Sequence, residues 1–118
     1  MRKVNLDEAF GRIEEQWSPR VAAELNGQMV KLARIQGEFP WHAHDGEEEM
    51  FLVYSGSMVL ESSEGNVALG PGELAVVPRG VEHRPVAEEE CLIVLFEPAG
   101  TSNTGGETNE YTTEAKPL

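Results

Sequence analysis

A chain of 118 residues holds one hydrophobic core and is too short for two. Twelve glycines and seven prolines suit many short strands joined by tight turns rather than long helices. The net charge of −12, almost all of it from glutamate, argues against a binder of nucleic acid or of anionic membranes, because both demand a basic face.

Cys91 is the only cysteine. No internal disulfide can form, so a reducing, cytoplasmic setting is expected. Within the apolar run Cys91-Leu92-Ile93-Val94-Leu95-Phe96 the thiol reads as a small buried hydrophobe rather than a reactive group. No run approaches the roughly 18 apolar residues of a membrane span, and the N-terminal residues lack the apolar segment of a signal peptide.

Taken in order, residues 5 to 16 predict a short helix. Asn5 is a good N-cap, and Asp7 and Glu8 favour the positive end of the helix dipole. Leu6, Phe10 and Ile13 fall on one apolar stripe, and Ser18-Pro19 ends the element. Val21 to Leu25 predicts a strand, Asn26-Gly27 a hairpin turn, and Met29 to Ile35 the returning strand. Further strands are expected at Glu49 to Tyr54, Met58 to Glu61, Val67 to Leu69, Leu74 to Val77 and Cys91 to Phe96, the last led in by Val86 to Glu90. Some nine short strands with a turn every six to twelve residues indicate an all-β sandwich or barrel. The division expected is a helix and lead-in over residues 1 to 20, a barrel over 21 to 100, and a polar tail over 101 to 118, either disordered or laid in extended form across the barrel.

The chemistry concentrates in His42-Ala43-His44-Asp45-Gly46-Glu47-Glu48-Glu49. In an extended strand positions i and i+2 share a face, which would put the His42 and His44 imidazoles within reach of one ion. A carboxylate follows at the head of the next apolar run. The third histidine, His83, stands behind the turn signal Pro78-Arg79-Gly80. His42, His44, Glu49 and His83 make a ligand set for one divalent transition metal, with iron, manganese, zinc and nickel not distinguishable. Glu48 is the alternative carboxylate. By alternation Phe51 and Val53 share the face of Glu49 and would form an apolar floor beneath the ion. Phe39 and Trp41 read as core or pocket wall, and Arg79 and Arg84 as solvent-facing.

These residues carry a resemblance to the small single-domain cupins, including the group described as mannose-6-phosphate isomerase-like. The family's first motif is matched by Gly37, His42-x-His44, Glu49 and Gly56, and its second by Gly72, Pro78-x-Gly80 and His83. Gly37 lies one residue nearer the histidines than is usual, and Ala87 replaces the customary asparagine. The six-residue interval from Glu49 to Gly56 favours Glu49 over Glu48. The resemblance spans roughly residues 30 to 97 and implies a double-stranded β-helix, or jelly-roll, barrel. It also implies a metal-binding protein acting on a small molecule. Similar cupins include dioxygenases, sugar-phosphate isomerases and epimerases, so a metal-dependent dioxygenase or isomerase of a small oxygen-rich molecule is expected. The alternative is a non-catalytic ligand-binding or sensor module whose metal is structural. No catalytic acid or base stands out beyond the ligands.

A homodimer is also expected. Met50, Leu52 and Tyr54 are apolar on the face opposite Phe51 and Val53, and Leu92, Val94 and Phe96 are apolar opposite Cys91, Ile93 and Leu95. Strands apolar on both faces call for cover on the outside, which the stripe of one short helix supplies only in part.

Overall fold

The computed structural model describes all 118 residues. Helix α1 covers Leu6–Gly11, and the strands are β1 Arg20–Leu25, β2 Gln28–Glu38, β3 Glu49–Ser55, β4 Met58–Ser62, β5 Val67–Leu69, β6 Leu74–Val77, β7 His83–Pro98 and β8 Lys116–Pro117. Strands dominate and form an open jelly roll with a short N-terminal helix. No helix is long and apolar enough to cross a membrane.

Asn5 caps α1 by accepting from the Glu8 N–H at 3.0 Å. The helix stops at Gly11 rather than running on to residue 16. Arg34 explains the stop: its guanidinium donates to the carbonyls of Phe10 at 2.9 Å and Ile13 at 2.6 Å, satisfying groups that a further turn would have used. The hairpin at Asn26 and Gly27, with φ of 51° and 77°, joins β1 to β2 as expected.

Strand β7 is the hub. It begins at His83, and the expected lead-in and final strand are one continuous 16-residue element. One edge pairs with β2 along most of its length, whereas the other pairs with β4 near its start and with β3 near its end. Between Ala87 and Cys91 the β2 register shifts, leaving Glu88, Glu89 and Glu90 exposed at the place where β7 changes partners. Gly56 fits that place alone: its φ is 85°, and a Cβ would sit 2.8 Å from the Glu90 carbonyl oxygen.

Two apolar clusters result. The interior one gathers Ala33, Ile35, Phe51, Val53, Met58, Leu60, Cys91, Ile93 and Leu95 between the sheets. The outer one seats Ala9, Phe10 and Ile13 on Ala22, Leu32 and Val94, with Leu52, Tyr54, Leu92 and Leu118 packed alongside. Phe10 stacks on Tyr54 with ring centroids 5.1 Å apart. Helix and C-terminus therefore cover much of the outer face within a single chain.

Residues 101 to 118 lie across the barrel as a turn-rich segment that becomes extended only at β8. Tyr111 packs edge-on against Phe39 at 5.3 Å, β8 pairs in parallel with β1, and the Leu118 N–H donates to the Val21 carbonyl at 3.2 Å. Gly105 lies so close to the Ala43 carbonyl that any side chain would collide with it.

Candidate metal centre

The two histidine-bearing segments are joined by backbone before side chains are considered. His42 and His83 form an antiparallel bridge, and the Gly80 N–H donates to the His44 carbonyl at 2.9 Å. Gly80 thus fixes the His44 end of the His-x-His segment and His83 the His42 end. Glu49 opens β3 opposite Val77, the residue just before the Pro78-Arg79-Gly80 turn. The histidine pair does not lie in a regular strand, since His42 makes only the isolated bridge. Instead the rings stand nearly perpendicular, with centroids 5.0 Å apart.

His42, His44, Glu49 and His83 are all buried, and one donor atom from each lies within 4.8 Å of the others. The Nδ1 atoms of His42 and His83 face the carbonyls of Pro40 at 3.0 Å and Val81 at 2.9 Å. Those bonds place the proton on Nδ1 and turn the Nε2 lone pairs inward. Glu49 Oε1 lies 3.4 Å from His44 Nε2 and 3.3 Å from His83 Nε2. His44 Nε2 is a buried nitrogen with no hydrogen-bond partner. An orphaned imidazole nitrogen among two further imidazoles and a carboxylate is what a divalent transition metal would satisfy, so the residues fit the ion.

The electrostatics are those of a site prepared for a cation. Burial holds the His42 imidazolium down to about 4, which keeps the ring neutral, as a ligand must be. Burial works to raise Glu49, but the neighbouring Glu97, His44 and His83 prevail and hold its carboxyl well below the usual range. Burial, and then the neighbouring Glu49, push the Glu97 carboxyl up to about 9. Glu48, by contrast, is exposed and faces Arg79 at 3.7 Å.

His42 and Glu49 border a cavity of about 580 Å³. Its barrel wall consists of Ala33, Ile35, Phe39, Phe51, Ile93 and Leu95, and its roof of Thr101, Ser102, Asn103 and residues 112–115 from the C-terminal segment. Phe51 lines this space and Val53 lies in the interior core. Phe39 is cavity wall and packs on His42 at 5.3 Å. Trp41 is not: it is exposed, with the Arg84 guanidinium 5.1 Å above its ring. Arg84 is half-buried rather than free, bonded to Glu61 at 2.8 Å and Glu38 at 2.9 Å. Burial pushes the Cys91 thiol up to about 11, which leaves it unreactive.

Three residues of this site are absent from the sequence reading. Trp17, with its indole N–H bonded to the Gln36 carbonyl at 3.0 Å, packs at a tilt against Phe39 and closes one side of the cavity. Lys31 Nζ and Glu97 Oε1 lie 2.9 Å apart, both residues buried on the cavity wall. Alternation could have found the pair, since Lys31 shares a strand face with Met29, Ala33 and Ile35, and Glu97 shares one with Ile93 and Leu95.

Comparison with known proteins bears on the same residues. The family model of the cupin domain matches residues 28–97. A cupin-2 domain containing protein from Shewanella frigidimarina is 42% identical, with a TM-score of 0.79 over 80% of this chain and 93% of its own. Protein NMB1881 from Neisseria meningitidis is 30% identical, with a TM-score of 0.76 over 83% of this chain and 100% of its own. A hydroquinone 1,2-dioxygenase, PnpCD, solved in complex with Cd2+ and 4-hydroxybenzonitrile, is 21% identical, with a TM-score of 0.67 over 81% of this chain and 72% of its own. That last likeness is one of fold.

Proposed function

The chain belongs to the cupin domain family, and from that premise we propose that it is a metal-dependent enzyme acting on a small oxygen-rich molecule. His42, His44, Glu49 and His83 would hold one divalent transition metal. The observation that carries the reading is the cavity of about 580 Å³ against His42 and Glu49. A structural zinc would be enclosed on all sides, whereas this donor set opens on a space large enough for a substrate. When bound, the metal would supply a Lewis acid and, with a redox-active ion, one-electron chemistry with dioxygen.

The chain's own groups favour a dioxygenase over an isomerase. The barrel wall is apolar, with Phe39, Phe51 and Trp17 placed to hold a ring or other apolar body, and no cluster of cations forms a phosphate cradle. Dioxygen uptake with dihydroxyaromatic substrates, measured on iron-loaded protein, tests the proposal. Uptake that disappears in the His44→Ala variant supports it. Binding without turnover of any substrate would favour the rival, a ligand-binding module.

A homodimer in a reducing, cytoplasmic setting completes the proposal. Its support is narrower than the sequence suggested, resting on Met50 and Phe96, paired neighbours that stay half-buried. Light scattering should give twice the 13.0 kDa chain mass; a monomer would overturn this part alone.

A further inference from the structure

Lys31, with Glu97 beside it, stands out on the cavity wall as a buried ammonium that the fold has little use for. Both are almost fully buried, at 5% and 3% exposure, with Nζ and Oε1 2.9 Å apart. Burying an ammonium costs more than a carboxyl group beside it returns, so an apolar pair of similar volume would hold the strands together as well or better. Every neighbour of Lys31 on that face of β2 is apolar, as are Ile93 and Leu95 beside Glu97. Placing an ammonium there makes sense if something else meets it.

What meets it must come through the cavity. Lys31 and Glu97 line the same space as His42 and Glu49. An ammonium carries three N–H donors, and Glu97 Oε1 is the partner the protein gives it. Lys31 is the one cationic side chain among the residues that line the cavity. A single ammonium suits a carboxylate, whereas a phosphate dianion would want several more donors.

We propose that Lys31, positioned by Glu97, is a specificity-determining residue that binds a carboxylate of the ligand while the ligand's other oxygens reach the metal. This deepens the metal-site reading above and rests on it. The ligand class is a small carboxylic acid with an apolar body and a separate chelating group.

Isothermal titration of zinc-loaded protein with 3,4-dihydroxybenzoate and with its uncharged amide provides the test, and zinc avoids turnover. The acid should bind about tenfold or more tightly than the amide, the scale of one charge-assisted hydrogen bond. The variant Lys31→Met removes the ammonium and leaves Glu97 in place beside Glu49. It should keep its zinc content by elemental analysis and bind acid and amide within about twofold of each other. If that variant does not fold, Lys31→Gln carries the same comparison. Equal binding of acid and amide by the wild type, or discrimination that survives loss of Lys31, would overturn the inference while leaving the metal site standing. Wild-type protein that takes up no zinc would instead defeat the metal-site reading. Titration of the metal-free protein then still reports on Lys31, where preference for the acid supports its role and none overturns it.

Discussion

His42 and His83 hold each other through their backbones: the His42 N–H donates to the His83 carbonyl at 3.1 Å, and the His83 N–H donates to the His42 carbonyl at 2.9 Å. Two ligands from opposite ends of the barrel sequence are thereby set by main-chain geometry, and an ion would find them in place. Preorganisation of this kind makes binding add to stability instead of being spent on ordering the loop.

The first expectation follows directly. Metal-free protein titrated with zinc or manganese to about one hundred times the dissociation constant should gain about 2.7 kcal/mol. That is a rise on the order of 10 °C in midpoint for a domain of this size. Differential scanning calorimetry reads it. His44→Ala should abolish most of the rise, and an equal rise in that variant would show that the ion binds elsewhere.

Acid and alkali should weaken the metal-free protein for different reasons. His42 is held at about 4 in the fold and titrates near 6.5 when unfolded. As pH falls from 6.5 toward 4 the unfolded chain takes up a proton that the folded ring refuses, so the stability present above 6.5 is lost. Glu97 acts in the opposite sense. Its folded carboxyl, pushed to about 9, keeps a proton that the unfolded chain releases above about 4.5, so stability falls as pH rises from 4.5 to 9. Urea denaturation across this range should show both arms. Glu97→Gln should flatten the alkaline arm and leave the acid one.

Gly56→Ala tests the place where β7 changes partners. Positive φ and the Glu90 carbonyl 2.8 Å from the new methyl act together, so a loss of about 1–3 kcal/mol is expected in urea denaturation. Gly65→Ala, with positive φ but open surroundings, should cost less. Equal losses would assign the Gly56 effect to backbone conformation alone.

Tyr111 holds the cavity roof against the wall through Phe39 and Trp17, at ring distances of 5.3 and 6.3 Å. Tyr111→Ala should shift Trp17 emission toward the red and speed removal of bound metal by a chelator several-fold. Unchanged chelator kinetics would show that the roof does not control access.

Much of this could be read in the sequence, for identifiable reasons. The His42-to-Glu49 spacing and the turn before His83 are each local signals, and the family resemblance joins the two, so the barrel and the grouping of His42, His44, Glu49 and His83 were legible. The early end of α1 was not, because Arg34, from another strand, supplies the cap. Trp17 and Tyr111 meet only through tertiary structure. Lys31 was misleading on its own, since a lysine in a strand reads as solvent-facing until the opposing wall, with Glu97, is known.

The 16-residue β7 has a consequence for how the chain comes into being. β2, β3 and β4 pair with β1, β6 and β5 on one edge and each leave the other edge to β7, so no two of these ladders join without it. Every sheet contact of that hub spans a long loop, and loop closure must precede the gain from pairing. During synthesis the first 82 residues emerge with the edges that meet β7 open, and the barrel assembles only when the last third of the chain arrives. Nascent chains arrested before His83 should be digested readily by protease. Chains that carry residue 98 clear of the ribosome should resist it.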